Sequence, residues 1–267
     1  MNAEAANFED IRKWEAVEVE RSASEAEKRA DDELFVNEKI IERYLNPPAE
    51  TPYQLEYAYH LLGDVKGKTV LDYGCGAGEN SVLISSHGAR RVVGIDISPE
   101  LVELGQKRLA LHGFGDAADL RVGSAHDLPV ESESVDVVFG MAILHHLDLE
   151  LASAEVFRVL KKGGRAIFLE PVRNSRFVRF ARNLIPYTAP DISPFERPLT
   201  DMELEKFAEK FTYYRSRAFS IPFVNLISVL GISENLLHRA IRLDGKILRT
   251  APFLKNFASV RVVEMTK

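Results

Sequence analysis

The segment VLDYGCGAGEN, from Val70 to Asn80, decides the fold. It places a short run of apolar and β-branched residues directly before three alternating glycines, Gly74, Gly76 and Gly78. A buried strand that runs into a glycine-rich turn and a helix is the usual arrangement for binding a nucleotide-like ligand. The sequence therefore predicts a nucleotide-binding α/β unit and raises the question of which ligand the loop holds.

The acidic residues around this loop distinguish between two candidate ligands, a dinucleotide and a methyl donor. In the dinucleotide fingerprint G-x-G-x-x-G the last position is glycine or alanine, but this chain has Glu79 there. Asp72 lies near the end of the predicted strand, where a carboxylate would repel a pyrophosphate and attract an ammonium or sulfonium group. Asp96, at the end of the next predicted strand, can hold the ribose hydroxyls of either ligand. The loop therefore favours a methyl donor over a dinucleotide.

The chain after Lys68 alternates short apolar runs with helix signals. The predicted strands lie at 69–72, 91–97, 120–122, 135–139 and 165–169, and the predicted helices at 80–86, 99–112 and 152–160. The clearest start is Ser98-Pro99-Glu100, which combines a hydroxyl N-cap, a proline in the first turn and an acid. This alternation predicts a doubly wound, mostly parallel sheet with helices on both faces.

Two further regions flank this α/β core, which we place at residues 67–171. Residues 1–66 predict a helical cap, with one helix over 8–45 that Asn46-Pro47-Pro48 ends and a shorter one over 53–62. Residues 172–267 predict the C-terminal part of the sheet: a helix over 201–211 and strands over 212–219 and 258–265. The intervening stretch 221–257 is too long for a simple connection, and both halves suit helices. It is either a lid over the site or the core of a helical cap.

Composition limits the class of protein. Apolar residues make up 46% and charged residues 28% of the 267-residue chain, as in ordinary globular proteins. The single cysteine excludes a disulfide framework and a cysteine-rich zinc site. The N-terminal residues are acidic, unlike a signal peptide, and no run approaches the length of a membrane-spanning helix. We expect a cytoplasmic protein without a metal site.

The net charge of −6 is unevenly distributed. Residues 172–267 contain 16 Lys and Arg against 9 Asp and Glu, a surplus of +7, whereas residues 1–171 contain 18 against 31, a deficit of −13. A basic C-terminal surface would attract an anionic substrate or lipid headgroup. Because the basic residues are dispersed, ordinary solvated surfaces explain the asymmetry better.

Five motifs in unbroken order resemble those of the class I S-adenosylmethionine-dependent methyltransferases, in particular the small-molecule, type 11/25-like branch. They are VLDYGCGAG, VVGIDIS, GSAHDLPVESESVDVVFG, LHHL and EVFRVLKKGGRAIFLEP, and they cover about residues 68–171. The resemblance implies a Rossmann-like sheet of seven strands with the last one antiparallel. It also implies S-adenosyl-L-methionine as cofactor and S-adenosyl-L-homocysteine as product.

The resemblance assigns expected cofactor-binding residues. Those for the methionine and ribose are Asp72, Gly74, Cys75, Gly76, Gly140 and Met141, with Asp96 for the ribose hydroxyls; those near the adenine are Ile97, Ser124, Ala125 and His126. The family commonly has aspartate where this chain has Ser124, and that acid binds the adenine amino group. Here we expect a weaker contact, or one made by His126 or Asp127.

Methyl transfer to a hydroxyl often needs a general base. The candidates are His145 and His146 in the Leu144–Leu147 turn, and Glu170 at the end of the fifth predicted strand. The histidine turn is also a common family feature without a catalytic role, and Glu170 could simply accept backbone hydrogen bonds. The expected activity is methylation of a small, hydrophobic acceptor such as a quinone, polyketide or lipid, with O-methylation favoured.

Two other classes of function stay open at this point. One is a non-catalytic S-adenosylmethionine-binding or scaffold protein, and the other, which Asp72 opposes, is an NAD(P)-dependent oxidoreductase. A nucleic-acid methyltransferase is disfavoured, because neither an Asn/Asp-Pro-Pro-Tyr motif nor a dense basic patch is present. The expected partner is a small-molecule acceptor, with no nucleic acid and at most transient membrane-surface contact, and the protein is expected to be a monomer or homodimer.

Overall fold

Three helices precede the sheet. The computed structural model describes residues 8–27, 34–175, 197–221 and 233–267, together with Val224 and Ile227. The first helices are α1 (Phe8–Glu27), α2 (Glu38–Leu45) and α3 (Gln54–Leu62). The single helix expected over 8–45 is therefore interrupted. The side chain of Asn37 accepts a hydrogen bond from Lys39 N and so begins a new helix, while residues 28–33 lie outside the described chain.

The core is a seven-stranded sheet in the order β3-β2-β1-β4-β5-β7-β6. The strands are β1 (Thr69–Tyr73), β2 (Arg91–Asp96), β3 (Ala118–Val122), β4 (Val135–Met141), β5 (Leu160–Pro171), β6 (Tyr213–Phe219) and β7 (Val260–Thr266). The helices between them are α4 (Glu79–Ser86), α5 (Pro99–Leu111), α6 (Leu149–Val159) and α7 (Asp201–Phe207). Strands β1 to β5 are parallel, and β7 runs antiparallel to both β5 and β6. The predicted fold class, including the reversed last strand, is confirmed.

The middle of the sheet is buried on both faces. All five residues of β1 are buried, and because side chains alternate along a strand, Val70 and Leu71 enter different hydrophobic clusters. The Val70 cluster includes residues of α3, α4 and α5, and the Leu71 cluster includes residues of α6 and α7. Each face therefore excludes water from the sheet, and only the ends of the strands are open to a ligand.

Local capping fixes the helix starts at the ligand-facing end of the sheet. The Ser98 hydroxyl accepts a hydrogen bond from Leu101 N, and Pro99 begins α5 as the sequence predicts. The Asp148 carboxylate accepts bonds from Glu150 N and Leu151 N at the start of α6. These caps hold the loops after β2 and β4 in fixed positions.

The predicted boundaries of β5 are too short. The strand begins at Leu160, because Leu160 pairs with Val135 before an irregularity in the ladder. The run Lys161-Lys162-Gly163-Gly164, which the sequence left between the predicted helix over 152–160 and the predicted strand over 165–169, therefore lies within the strand. Gly163 has φ +74°, a conformation that favours glycine and marks the irregularity.

The C-terminal insertion contributes a long amphipathic helix, α8 (Glu234–Thr250). Its buried Asp244 accepts hydrogen bonds from the backbone N–H groups of Ser220 and Ile221, both at 3.0 Å, and so attaches the helix to the end of β6. The second predicted helix of the insertion is thus present. The first, over Phe223 to Leu230, lies mostly outside the described residues. Within the described part of the chain, no helix is both long and apolar enough to cross a membrane.

Candidate active site

A cavity of about 180 Å³ lies at the C-terminal ends of β1, β2, β3 and β4, beneath α1. Its lining residues are Ile11, Trp14, Glu15, Glu18, Ser22, Gly74, Ile95, Asp96, Ile97, Leu101, Gly123, Ala125, His126, Met141, Ala142, Ile143, His146 and Leu147. Ligands of open α/β sheets bind at this edge, where the strand order reverses. In this sheet the reversal falls between β1 and β4, so the cavity occupies the expected position.

The glycine loop forms the floor of the cavity. A side chain at Gly74 would place its Cβ 2.9 Å from the Ile143 side chain, and the backbone has φ +75°. Gly76 also has a positive φ, +49°, yet nothing lies within 4 Å of the position its Cβ would take. The loop therefore needs glycine at Gly74 for packing, and at Gly76 it leaves space for a ligand to approach the backbone.

Two backbone N–H groups fix the orientation of the Asp96 carboxylate. Its Oδ2 accepts a hydrogen bond from Gly76 N at 2.8 Å, and its Oδ1 accepts one from Ser98 N at 3.0 Å. A carboxylate oxygen can accept more than one hydrogen bond, so both oxygens retain acceptor capacity toward the cavity. The residue that the sequence assigned to the ribose hydroxyls thus has a fixed orientation at the cavity wall.

Asp72 is buried directly before the loop. Its Oδ2 accepts a 2.6 Å hydrogen bond from the Ser81 hydroxyl, whereas its Oδ1 has no hydrogen-bond partner in the described structure. Burial, reinforced by the nearby charges of Asp96 and Glu79, raises the pKa of Asp72 to about 7 although the Ser81 bond acts to lower it. A buried acceptor without a partner, facing two further acids, suits a ligand that brings a positive charge.

Helix α1 closes the cavity from above. Glu15 of this helix contacts Ser124 and His126 in the loop after β3, and Glu18 lies 3.7 Å from the His146 ring. Trp14, the single tryptophan of the chain, also lines the cavity. The sequence predicted an N-terminal helical cap but did not identify these side chains as part of the site. The near-helical spacing of Ile11 and Trp14 indicated only that they share one face of a helix.

His145 and Glu170 form a hydrogen-bonded pair at the ends of β4 and β5. Glu170 is fully buried, and its Oε1 accepts bonds from Ile143 N and Leu144 N at 2.9 and 2.8 Å. Its Oε2 lies 2.9 Å from His145 Nδ1. A carboxylate at Nδ1 keeps the proton on that nitrogen and leaves Nε2 as the basic atom. The His146 ring packs against the His145 ring at a tilt of 41°, with centroids 4.0 Å apart, and it is His146 that lines the cavity.

The structure brings half of the predicted site residues to the lining of the cavity. The predicted residues in its lining are Gly74, Asp96, Ile97, Ala125, His126, Met141 and His146; those outside it are Asp72, Cys75, Gly76, Ser124, Gly140, His145 and Glu170. Gly140 packs toward Phe168, which lies 2.6 Å from the position of an added Cβ. Asp127 is exposed and does not line the cavity. No described residue of the 221–257 insertion lines it either, so the lid interpretation stays a prediction.

Cys75 occupies the loop without facing the cavity. Burial, reinforced by the charges of Asp72 and Asp96, raises the pKa of its thiol well above the ordinary value. Its side chain lies 3.0 Å from the position that a Cβ on Gly94 would take. A small side chain in a crowded turn is the role that these contacts support, because a thiol of raised pKa is a poor nucleophile.

These features define a Rossmann-like domain with acids and glycines at the strand ends, and comparison with known proteins shows what it resembles. Residues 71–168 match the family model described as a methyltransferase domain. This part of the chain is similar to that family, in agreement with its motifs.

Relatives and solved structures agree with the family. A demethylmenaquinone methyltransferase from Symbiobacterium thermophilum is 37% identical over 118 residues, which are 43% of this chain and 47% of the relative. One from Lactococcus lactis is 30% identical over 160 residues, 56% of this chain and 62% of the relative. The chain thus spans about half to three fifths of these relatives.

Among solved structures, geranyl diphosphate C-methyltransferase from Streptomyces coelicolor, in complex with Mg²⁺, geranyl diphosphate and S-adenosyl-L-homocysteine, superposes with a TM-score of 0.56. The two chains are 18% identical, and the alignment covers 78% of each. At this identity the similarity establishes the fold.

Proposed function

We propose that this protein is an S-adenosylmethionine-dependent methyltransferase acting on a small, apolar acceptor that carries a hydroxyl group. The observation that carries the proposal is the cavity lined by Gly74 and by the fixed Asp96 carboxylate, with the buried Asp72 directly before the glycine loop. Asp96 fits the two ribose hydroxyls, and Asp72 fits the positive charge of the methionine part. A dinucleotide would place a pyrophosphate near Asp72, which the sign of the charge opposes.

The donor supplies an electrophilic methyl group, and the chain's residues supply orientation, a dry site and a base. The apolar side chains of Ile11, Trp14 and Ile143 line the cavity and exclude water from it. Alignment of two reactants in such a cavity accounts for a large part of the acceleration of a displacement reaction. Helix α1 completes this enclosure and must open for the donor to enter.

His145 is the proposed general base, and Glu170 is its positioning residue. The Glu170 carboxylate holds the proton on Nδ1, so Nε2 can remove the proton of an acceptor hydroxyl. The His145 side chain is 15% exposed, which gives a substrate access to it. The buried Glu170 is held in place because it also accepts the bonds from Ile143 N and Leu144 N.

The acceptor class follows from the apolar lining and from what the relatives are named for. A prenylated quinol combines an apolar body with an acidic hydroxyl, and we propose transfer to its oxygen. The S. coelicolor neighbour is named a C-methyltransferase. On a quinol, removal of the hydroxyl proton would also allow methylation at carbon, since the resulting phenolate shares its charge with the neighbouring ring carbon. The product therefore carries a methoxy group under our proposal, and a ring C-methyl group under the second candidate.

Two measurements test the function. Calorimetry with S-adenosyl-L-homocysteine should show binding, and no binding would refute the donor assignment. Incubation with methyl-labelled donor and demethylated menaquinol should give a product that gains one labelled methyl, with NMR distinguishing methoxy from C-methyl. Donor binding without turnover on quinols, phenols and lipid extracts would instead support a non-catalytic, donor-binding protein.

Three variants test the base. His145→Ala should lower kcat about 100-fold or more, the contribution typical of general-base catalysis, while the Kd of S-adenosyl-L-homocysteine stays unchanged. Glu170→Gln should lower kcat less than His145→Ala does, because the imidazole is retained but loses its fixed tautomer. If His146→Ala abolishes turnover and His145→Ala does not, His146 is the base and the assignment to the His145 pair is wrong.

A further inference from the structure

Glu15 is an acid of α1 that reaches into the loop after β3. Its Oε1 accepts hydrogen bonds from the Ser124 hydroxyl at 2.5 Å and from His126 Nδ1 at 2.9 Å. The Ser124 hydroxyl oxygen in turn accepts a bond from His126 N at 3.0 Å, so its proton is directed to Glu15. The carboxylate is therefore held by two donors from one loop, more than 100 residues away in sequence.

The hydrogen bonds of His126 determine which of its ring nitrogens carries the proton. The backbone N–H of Asp148 donates to His126 Nε2 at 3.0 Å, so Nε2 is an acceptor and the ring proton is on Nδ1, facing Glu15. Burial acts to raise the pKa of Glu15, but the hydrogen bonds from His126 and Ser124 outweigh it and leave the pKa below its ordinary value. Glu15 is thus ionised at neutral pH, and among the described residues its Oε2 has no hydrogen-bond partner.

The position of Glu15 in the cavity indicates which part of a ligand it meets. If Asp96 at the end of β2 holds the ribose, the base attached to that ribose extends toward β3, the next strand of the sheet. Ile97 and Leu101 form the apolar wall there, and Glu15, Ala125 and His126 line the same end. An adenine at this place would direct its polar edge at the loop that Glu15 contacts.

We propose that Glu15 accepts a hydrogen bond from the exocyclic amino group of the donor's adenine, and so supplies from α1 the acid that the chain lacks at Ser124. This assignment rests on the proposed function. It makes recognition of the base depend on a helix outside the matched domain of residues 71–168. A carboxylate only accepts hydrogen bonds, so it selects the 6-amino group of adenine and disfavours the 6-oxo group of hypoxanthine.

The test measures a ratio of two affinities. Isothermal calorimetry gives the Kd of S-adenosyl-L-homocysteine and of S-inosyl-L-homocysteine, which carries the 6-oxo group, for wild type, Glu15→Gln and Glu20→Gln. Wild type should prefer the adenosyl ligand at least tenfold. In Glu15→Gln the side-chain amide can also donate to the oxo group, so the preference should fall to threefold or less. Glu20→Gln makes the same charge change on an exposed position of α1 and should keep the wild-type preference.

The ratio is insensitive to a general loss of affinity, which would weaken both ligands together. The fluorescence of Trp14 on the same helix shows whether α1 keeps its position in each variant. An unchanged preference in Glu15→Gln, or no preference in wild type, overturns the assignment of Glu15 while leaving the donor assignment standing. Failure of wild type to bind either ligand refutes the donor assignment itself.

Discussion

Replacement of Asp72 by asparagine should change how the stability of the protein depends on pH. In the folded chain burial raises the pKa of this carboxyl from 3.8 to about 7. Between these two values the folded state holds a proton that the unfolded state has released. The free energy of unfolding therefore falls as the pH rises through this window, and the loss is complete above pH 7.

The magnitude follows from the size of the shift. About three pKa units at 1.36 kcal/mol each give a cost of about 4 kcal/mol once the carboxyl is ionised in the fold. The linkage relation places the larger part of this loss, about 2–3 kcal/mol, between pH 5 and pH 8. Asparagine cannot ionise, so this part of the pH dependence should disappear in Asp72→Asn.

Urea unfolding followed by circular dichroism at pH 5 and pH 8 measures the effect. The stability of Asp72→Asn relative to wild type should rise by about 2–3 kcal/mol from pH 5 to pH 8. An unpaired amide N–H in the variant costs about 1–3 kcal/mol, but this cost is the same at both pH values and cancels. Asp116→Asn removes an exposed charge and should show no such trend. A relative stability of Asp72→Asn that is equal at both pH values would refute the argument from burial.

Three further predictions concern the loop, its support and its ligand. Gly74→Ala should abolish binding of S-adenosyl-L-homocysteine, because its Cβ meets Ile143, whereas Gly67→Ala, with the same φ of +75° and nothing within 4 Å, should cost only about 1–2 kcal/mol of stability and keep binding. Arg108→Met should lower the free energy of unfolding by about 3 kcal/mol or more, since the buried guanidinium binds Leu34 O and Glu79; Lys107→Ala, at an exposed ion pair, should leave it unchanged within error. S-adenosyl-L-homocysteine at 100 times its Kd should raise the free energy of unfolding by about 2.7 kcal/mol, measured by urea titration, and an unaltered midpoint would contradict binding to the folded state.

The sheet could be predicted from sequence because its signals are local. The buried runs of β1 and β2 and the cap at Ser98 are each specified by a few adjacent residues, and the structure places them within one or two positions of the prediction. The start of β5 was wrong by five residues, since the pairing of Leu160 with Val135 is a contact between distant segments. Periodicity along one segment does not contain that information.

Some residues of the candidate site could likewise be predicted from local sequence, and others could not. Gly74 directly follows β1 and Asp96 is the last residue of β2, so their place at the sheet edge follows from the strand order once the sheet is known. The contact of Glu15 with Ser124 joins residues 109 positions apart, and nothing in either neighbourhood specifies it. The sequence has Ser124 in place of the family's acid and offers His126 or Asp127 nearby as substitutes, whereas the structure offers Glu15 from the distant helix α1.

Because Cys75 is buried in the glycine loop, its reaction with a thiol reagent measures how often the loop opens. The chain has one cysteine, and its side chain is 4% exposed. A thiol-alkylating reagent can therefore modify the protein only when the loop opens, and at a single position. The rate of labelling then reports the frequency of that opening without any engineered probe, and mass spectrometry can follow it in the native protein as ligands are added.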